Sequence, residues 1–289
     1  MIRSKENKST KVACGFLFIG LCLLVSFSIA CAGGSESILP KHTFEIGMGA
    51  THLDYKEEKG PDIEIDGPLY GMVGRYTYHN KVMMNVSLEY AFGDLDYDGV
   101  FRIILADASS SATIDTPGRT DTEDWKVECR GLIGYDFVLT GNHVVTPFFG
   151  IGYRYWNDFI KGRGGYEREI EYWYSPIGVT TCSPLSENWT WGTSLEYDLF
   201  WEGTSGVDAE TFPDLHQDSG YGIRFSLQFN RQFSDRYALS LEPFITYWKI
   251  DKSDSETYMA LFSGGIQVLT VHEPENTTTS YGLRIGLKF

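Results

Sequence analysis

Apolar and polar residues alternate along most of the chain after residue 40. In segment 82–92, the even positions carry Val, Met, Val, Leu, Tyr and Phe, and the odd positions carry Met, Asn, Ser, Glu and Ala. The same alternation occurs over 125–137, 189–201, 221–229, 237–247 and 281–289. A period of two residues is typical of β-strands with two different faces. Four weaker segments, near 42–55, 68–78, 145–156 and 166–181, bring the prediction to about ten strands and no substantial helix.

The lengths of these segments favour strands that cross a membrane. They run to eleven residues or more, whereas soluble strands have about five or six residues and a tilted strand needs roughly nine to eleven to span a bilayer. Short turns near 79–81, 140–142, 183–188 and 230–236 alternate with long loops near 56–67, 93–122, 157–165, 202–219 and 251–276. We therefore predict an all-β fold, a transmembrane antiparallel up-and-down β-barrel of about ten strands over residues 42–289. A soluble β-sandwich or lipocalin-like barrel would also alternate, but it would have to place its many Tyr and Trp side chains inside.

The composition narrows the class of partner. The formal net charge is −15 and aromatic residues make up 15% of the chain. An acidic chain does not suit nucleic-acid binding, which needs clustered Lys and Arg. Tyr and Trp at both ends of the apolar faces, as at Trp189 and Trp201, are typical of the aromatic girdles of a membrane barrel. We expect outer-membrane lipids as partners, no nucleic acid, and a monomer rather than an oligomer.

The first 32 residues have the pattern of a bacterial secretory signal peptide. Four basic residues precede an apolar stretch from Val12 to Ala30, and small residues follow at Ala30-Cys31-Ala32. Residues 33–41 then form a flexible segment. Because Ser28-Ile-Ala-Cys31 resembles a bacterial lipobox, lipidation of Cys31 is an alternative. The internal cysteines, Cys129 and Cys182, are predicted to lie on strands that are not neighbours and to remain free thiols.

The last strand carries a more specific pattern. It alternates apolar residues and ends on an aromatic residue: Tyr281, Leu283, Ile285, Leu287 and Phe289. This segment resembles the C-terminal signature of bacterial outer-membrane barrels. The resemblance implies location in the bacterial outer membrane and recognition by the barrel-assembly machinery.

Charged residues occupy many of the predicted inward positions. They are Arg75, Glu89, Lys126, Glu128, Arg130, Asp136, Arg154, Glu196, Asp198, Arg224, Glu242, Arg284 and Lys288. Since unpaired buried charge is unfavourable, we expect opposite charges to pair and fill the narrow lumen. The alternative is an ion pathway with a charged constriction.

The excess negative charge lies in the predicted outer loops. Asp94-Leu-Asp-Tyr-Asp-Gly99 begins like an EF-hand loop, but Leu105 stands where the bidentate Glu is needed. Asp94, Asp96 and Asp98 are thus candidate ligands of a divalent cation, and we expect no other cofactor. Such an acidic surface would bind divalent or polycationic partners.

The strand number, chain length and long outer loops resemble the omptin family of outer-membrane proteases. That family carries an Asp-x-Asp pair in its second outer loop and an Asp-x-His pair in its fourth. The matching residues here are Asp94 with Asp96, and Asp214 with His216. The resemblance implies that Asp214 orients His216 as general base while Asp94 and Asp96 flank the attacking water.

The sequence thus predicts an outer-membrane barrel without an assigned molecular role, acting through its acidic extracellular loops or structurally. An omptin-like endopeptidase is the first alternative, and a narrow porin-like channel is the second.

Overall fold

The computed structural model describes residues 39–58, 63–106, 111–139, 142–162, 165–208, 212–262 and 265–289. The predicted signal peptide and the segment 33–38 lie outside these ranges, so cleavage after Ala32 and lipidation of Cys31 stay predictions. The strands are β1 (His42–Glu58), β2 (Glu64–Asn80), β3 (Val82–Ala106), β4 (Ser111–Tyr135), β5 (Phe137–Val138), β6 (Val144–Ile160), β7 (Glu167–Ser186), β8 (Trp189–Val207), β9 (Leu215–Gln217), β10 (Gly220–Ser234), β11 (Tyr237–Ile250), β12 (Glu256–Phe262), β13 (Gly265–Val271) and β14 (Glu275–Lys288).

Ten of these strands form a closed antiparallel ring. The order is β1, β2, β3, β4, β6, β7, β8, β10, β11 and β14, and β14 pairs again with β1. At the seam, the backbone amides of Phe44 and Phe289 donate to each other's carbonyl oxygens at 2.8 and 2.9 Å. Closure leaves no unpaired edge among these ten strands, as a lipid environment requires. The predicted up-and-down barrel of about ten strands is confirmed.

Alternation along each strand separates an outward apolar face from an inward mixed face. On β11, Leu239, Leu241 and Ile245 are exposed on the outside, whereas Ser240 and Glu242 are buried inside. The outward apolar positions of all ten strands form one band around the barrel. In water such a band would be unfavourable, but in a bilayer its solvent is hydrocarbon.

The two ends of the barrel differ in their connections. Short turns at Lys81, 187–188 and 235–236 lie at one end, together with His42 and Phe289. Longer connections lie at the other end. In bacterial outer-membrane barrels the short turns are periplasmic and the long loops extracellular. The turn end is therefore periplasmic and the loop end extracellular.

The prediction of a loop over 93–122 is wrong. Residues 93–106 continue β3 and residues 111–122 begin β4, with paired registers from Gly93↔Asp124 to Ala106↔Ser111. The outward positions become polar where the strands leave the lipid, so the apolar alternation stops although the backbone pairing continues. Likewise, the predicted loop 251–276 contains the hairpin of β12 and β13, and the short strand β9 pairs with β8.

Two smaller findings complete the fold. Cys129 lies on β4 and Cys182 on β7, and neither forms a disulfide, in agreement with the prediction. Within the described ranges, no helix has the length and apolar character needed to cross a membrane.

Gly71 on β2 provides a test of this packing. A Cβ atom at Gly71 would lie 2.1 Å from the backbone oxygen of Tyr90, whereas a Cβ atom at Gly74 would have nothing within 4 Å. We expect Gly71→Ala to lower the free energy of unfolding of the refolded barrel by about 1–3 kcal/mol. The matched control Gly74→Ala should stay within about 0.5 kcal/mol of the wild type in the same urea titration. Equal stability of the two variants would contradict the close approach of β2 and β3.

Candidate functional site

Halfway along the barrel, inward charges form a layer of ion pairs, here called the charge layer. Its first part centres on Arg224, whose Nε lies 2.5 Å from Asp198 Oδ2 and 3.3 Å from Glu196 Oε1. The guanidinium of Arg224 also pairs with Glu128, and Arg130 pairs with Glu196. These residues come from β4, β8 and β10, so the network ties non-adjacent walls together.

The second part of the charge layer lies on the opposite wall. Arg75 Nη1 is 3.1 Å from both Glu45 Oε2 and Glu242 Oε2. Arg284 is 3.3 Å from Glu242 Oε1 and 2.8 Å from Glu89 Oε2. Each shared carboxylate neutralises a cation that would be strongly destabilising if buried alone.

Two of the predicted lumen cations, Lys126 and Arg154, lie over aromatic rings rather than beside carboxylates. Lys126 Nζ lies 5.5 Å from the ring centroid of Trp156, and Arg154 lies 5.4 Å from Tyr172 and 5.8 Å from Trp248. Among the described residues, neither cation forms an ion pair with a carboxylate. The expectation that the lumen cations pair with carboxylates is therefore wrong for Lys126 and Arg154. Both residues lie where the inward side chains change from charged to aromatic, and cation–π contacts replace ion pairs.

Above the charge layer, buried rings close the bore. This aromatic plug consists of Tyr55, Trp156, Tyr172, Tyr174 and Trp248, which are each 2% exposed or less. Tyr55 meets Trp156 edge to face at 5.4 Å, and Tyr174 meets Trp248 at 5.0 Å. Aliphatic side chains fill the remaining space: Leu53, Ile65, Leu69, Leu95, Ile160, Ile170 and Ile250. Sequence reasoning missed this plug and attributed closure of the lumen to paired charges alone.

Below the charge layer the barrel is hollow. A cavity of about 720 Å³ extends from Arg130 and Arg284 to Phe289 at the turn end. Its walls combine polar side chains such as Thr77 and Asn85 with apolar ones such as Val73 and Leu132. The interior is therefore accessible in its periplasmic half and closed in its extracellular half.

On the outer wall, four aspartates form a row across β1, β2, β3 and β4. The register pairs Asp54 with Asp66, Asp66 with Asp96, and Asp96 with Asp121. All four lie on the outward face, and they are here called the aspartate row. The neighbouring Lys56 contacts Asp54 at 3.3 Å. Among the described residues, no cation pairs with Asp96 or Asp121.

The four candidate catalytic residues are not brought together. Asp94 and Asp96 lie on the outward face of β3, and Asp94 Oδ1 accepts from Lys161 at 2.8 Å. His216 lies on β9 opposite Thr204, with its exposed side chain directed away from the buried face that carries Leu215. Asp214 is exposed and lies just before β9. A water molecule bridging the Asp pair and His216 would need both to face the lumen, so the catalytic assignment stays a prediction without geometric support.

The candidate metal ligands are separated by the strand itself. Asp94, Asp96 and Asp98 occupy alternate positions of β3, so successive carboxylates lie roughly 7 Å apart along one face. Ca²⁺ needs ligands at about 2.3–2.6 Å converging on one point. No group of three metal-ligating side chains converges in the part of the chain that the structure describes.

The predicted assembly signal lies entirely on the lipid-facing side. Tyr281, Leu283, Ile285, Leu287 and Phe289 are all exposed outward on or just after β14. The ring of Phe289 stacks on that of Phe44 at 6.0 Å across the seam. The segment is thus a closing strand in the folded barrel, and its recognition by the assembly machinery stays a prediction.

Comparison with known proteins gives the fold but no family. No known protein-family profile matches the sequence, and no curated protein matches it significantly. The outer-membrane protease OmpT of Escherichia coli matches in structure with a TM-score of 0.55 and 11% identity, over 86% of this chain and 96% of that chain. The translocator domain of the autotransporter NalP from Neisseria meningitidis (TM-score 0.38, 10% identity, 97% of each chain) and the toluene transporter TbuX of Ralstonia pickettii (TM-score 0.35, 9% identity, 87% and 90%) also match. Together with the lipid-facing band, the fold confirms the predicted location in the outer membrane. Sequence identity of 9–11% does not allow the activity of any of these proteins to be assigned to this chain.

The plug predicts the electrical behaviour of the barrel. We expect wild-type protein in planar bilayers at neutral pH to show no steady conductance, because an apolar layer separates the cavity from the extracellular end. The double variant Trp156→Ala/Trp248→Ala removes two large buried rings and should conduct. Trp201→Ala is the matched control, since Trp201 is 47% exposed on the lipid side. Stable porin-sized openings in the wild type would contradict the closed bore.

Proposed function

We propose that this protein, a bacterial outer-membrane β-barrel, acts as a closed barrel whose outer wall binds cationic ligands outside the cell. The observation that carries the proposal is the aspartate row. Ligands of the right chemistry are oligomeric cations, such as polyamines and peptides rich in Lys or Arg. The closed bore supports a role for the outer wall rather than for transport.

The spacing of the aspartate row suits a linear polycation. Neighbouring strands lie about 4.8 Å apart, so four carboxylates extend over roughly 15 Å. Like charges directly opposite each other on a sheet destabilise it. A ligand with several positive charges relieves that repulsion at each step of the row, which gives it an advantage over a single monovalent ion.

The position of the row makes it accessible from outside. Asp96 and Asp121 lie four positions beyond the lipid-facing residues Phe92 and Trp125 on the same strands. The row therefore begins where the apolar band ends. A ligand can reach it from the extracellular side without entering the bore.

Binding of a fluorescent oligolysine peptide to the refolded barrel in uncharged detergent tests the proposal. The quadruple variant Asp54→Asn/Asp66→Asn/Asp96→Asn/Asp121→Asn should weaken binding at low salt by about tenfold, or roughly 1.4 kcal/mol. Wild-type affinity should also fall with added NaCl, because exposed charges are screened.

The matched control removes the same charge from scattered extracellular positions. It combines Glu202→Gln, Asp218→Asn, Asp251→Asn and Asp254→Asn, all exposed in the wild type. We expect its affinity to change by less than about threefold. Equal losses in the two quadruple variants would show that net charge rather than the row determines binding, and absence of binding by the wild type would overturn the proposal.

A dibasic peptide in the same assay separates binding from hydrolysis. Because Asp94 and Asp96 lie on the outward face of β3 and the exposed His216 lies on β9, we expect the peptide to remain intact during prolonged incubation, as judged by mass spectrometry. The variant His216→Ala should behave like the wild type. Cleavage by the wild type that disappears in His216→Ala would instead support the omptin-like endopeptidase.

A further inference from the structure

At the extracellular end of the bore, four buried carboxyl groups surround a single guanidinium. Glu57, Asp124, Asp158 and Glu273 lie with Arg168 on top of the aromatic plug, and this group is here called the mouth cluster. All five side chains are buried and face the lumen. With one cation for four acids, the mouth cluster cannot be electrically neutral if every carboxyl group is ionised.

Arg168 is the centre of the cluster. Its Nη2 lies 2.7 Å from Asp158 Oδ2, and its Nη1 lies 3.4 Å from Glu57 Oε1 and 3.3 Å from Glu273 Oε1. Nη1 also donates to the hydroxyl of Tyr55 at 3.2 Å. One guanidinium thus bridges β1, β6, β7 and the segment before β14.

Asp124 and Asp158 form the least balanced part of the mouth cluster. They are direct register partners on β4 and β6, with both side chains turned inward. Trp156 Nε1 donates to Asp124 Oδ1 at 2.7 Å, and Thr122 donates to Asp124 as well. Asp158 is 0% exposed, and its Oδ1 has no hydrogen-bond partner within the described part of the chain. A bound proton is the simplest ligand for such an orphaned, buried oxygen.

Among the residues that the structure describes, no cation other than Arg168 forms an ion pair with these acids. The groups that face the cluster from neighbouring elements are Tyr55 of β1, Tyr97 of β3, Thr122 of β4, Tyr166 before β7, Tyr172 of β7 and Ser205 of β8. Lys126 lies across the indole of Trp156, within the plug. The rim lysines pair with outer carboxylates: Lys56 with Glu64, Lys161 with Asp94 and Lys249 with Glu275.

Burial also changes the titration of these groups. It raises the pKa of Glu57 to about 7, against the lowering effect of Arg168. It raises the pKa of Asp124 to about 7, with a further rise from Asp158. The pKa of Asp158 is raised by burial as well. Burial thus shifts the pKa of Glu57, Asp124 and Asp158 in the same direction, above the usual range of a carboxyl group.

We propose that protons hold the mouth of this barrel closed: the mouth cluster stays packed while Glu57, Asp124 and Asp158 share bound protons, and it loosens when the external medium becomes alkaline. The direction of this pH dependence follows from the coupling between proton binding and closure. An acid whose pKa is higher in the closed state than in water favours the closed state at low pH, and this stabilisation is lost as the pH rises through the closed-state pKa. The inference is independent of ligand binding at the aspartate row.

Hydrogen exchange of two mouth amides measures the loosening directly. The amide of Glu57 donates to the carbonyl of Ile63, and that of Ser253 donates to the carbonyl of Glu273. In the refolded full-length barrel, we expect their protection, corrected for intrinsic exchange, to fall at least tenfold between pH 6 and pH 9. Amides of the lipid-spanning part of β11 should show no such change.

The double variant Glu57→Gln/Asp124→Asn removes the titration while keeping the shape of the protonated acids. We expect its mouth amides to stay protected at pH 9. The control Asp94→Asn/Glu123→Gln changes two outward carboxyl groups of β3 and β4 and should loosen like the wild type. If the double variant fails to fold, Glu57→Gln alone should move the midpoint of loosening to higher pH.

Two results would overturn the proposal. One is wild-type protection that is independent of pH between 6 and 9. The other is loosening of the Glu57→Gln variants at the same pH as the wild type, since the mouth would then respond to some other group.

Discussion

The structure depends on one constraint, which is that a sheet in lipid must leave no backbone group unpaired. Ten strands meet this requirement by closing from β1 to β14. Closure fixes the direction of every side chain, because alternate residues of a strand face opposite sides. The outside must then be apolar over the height of the bilayer, and everything polar on the spanning strands must go inside. The charged interior is therefore a consequence of closure and not a separate feature.

The buried charges of such an interior have to be stabilised at every height along the barrel axis. In the charge layer, Arg224 and Arg284 each join carboxylates from different strands, so the cations of this layer are ion-paired across the bore. One level higher, Arg154 is stabilised by the rings of Tyr172 and Trp248 instead. At the mouth, Arg168 is left with more acids than it can neutralise. The balance between acids and bases thus changes along the axis, and protonation is the remaining means of balancing the mouth.

The sequence predicted what depends on period and chemistry along a single strand. Alternation located the strands and their faces, and charged inward positions such as Arg75 and Glu242 indicated ion pairs. What the sequence could not predict depends on which residues of different strands lie at the same height along the barrel axis. Trp156 and Trp248 are far apart in the chain, and only the stagger of the closed barrel brings them into one plug. The extension of β3 and β4 was missed because Asp94 and Asp96 interrupt the apolar pattern while the backbone pairing continues.

The same stagger separates the two acidic features of the extracellular end. Asp121 and Asp124 are three residues apart on β4, yet the first faces outward into the aspartate row and the second faces inward into the mouth cluster. The outward carboxylates are in contact with water, so they can attract cations from solution. The inward carboxylates are shielded from water, so they respond to protons instead. One acidic stretch of sequence thereby gives two surfaces with different chemistry, and the alternation of the strand decides which residue belongs to each.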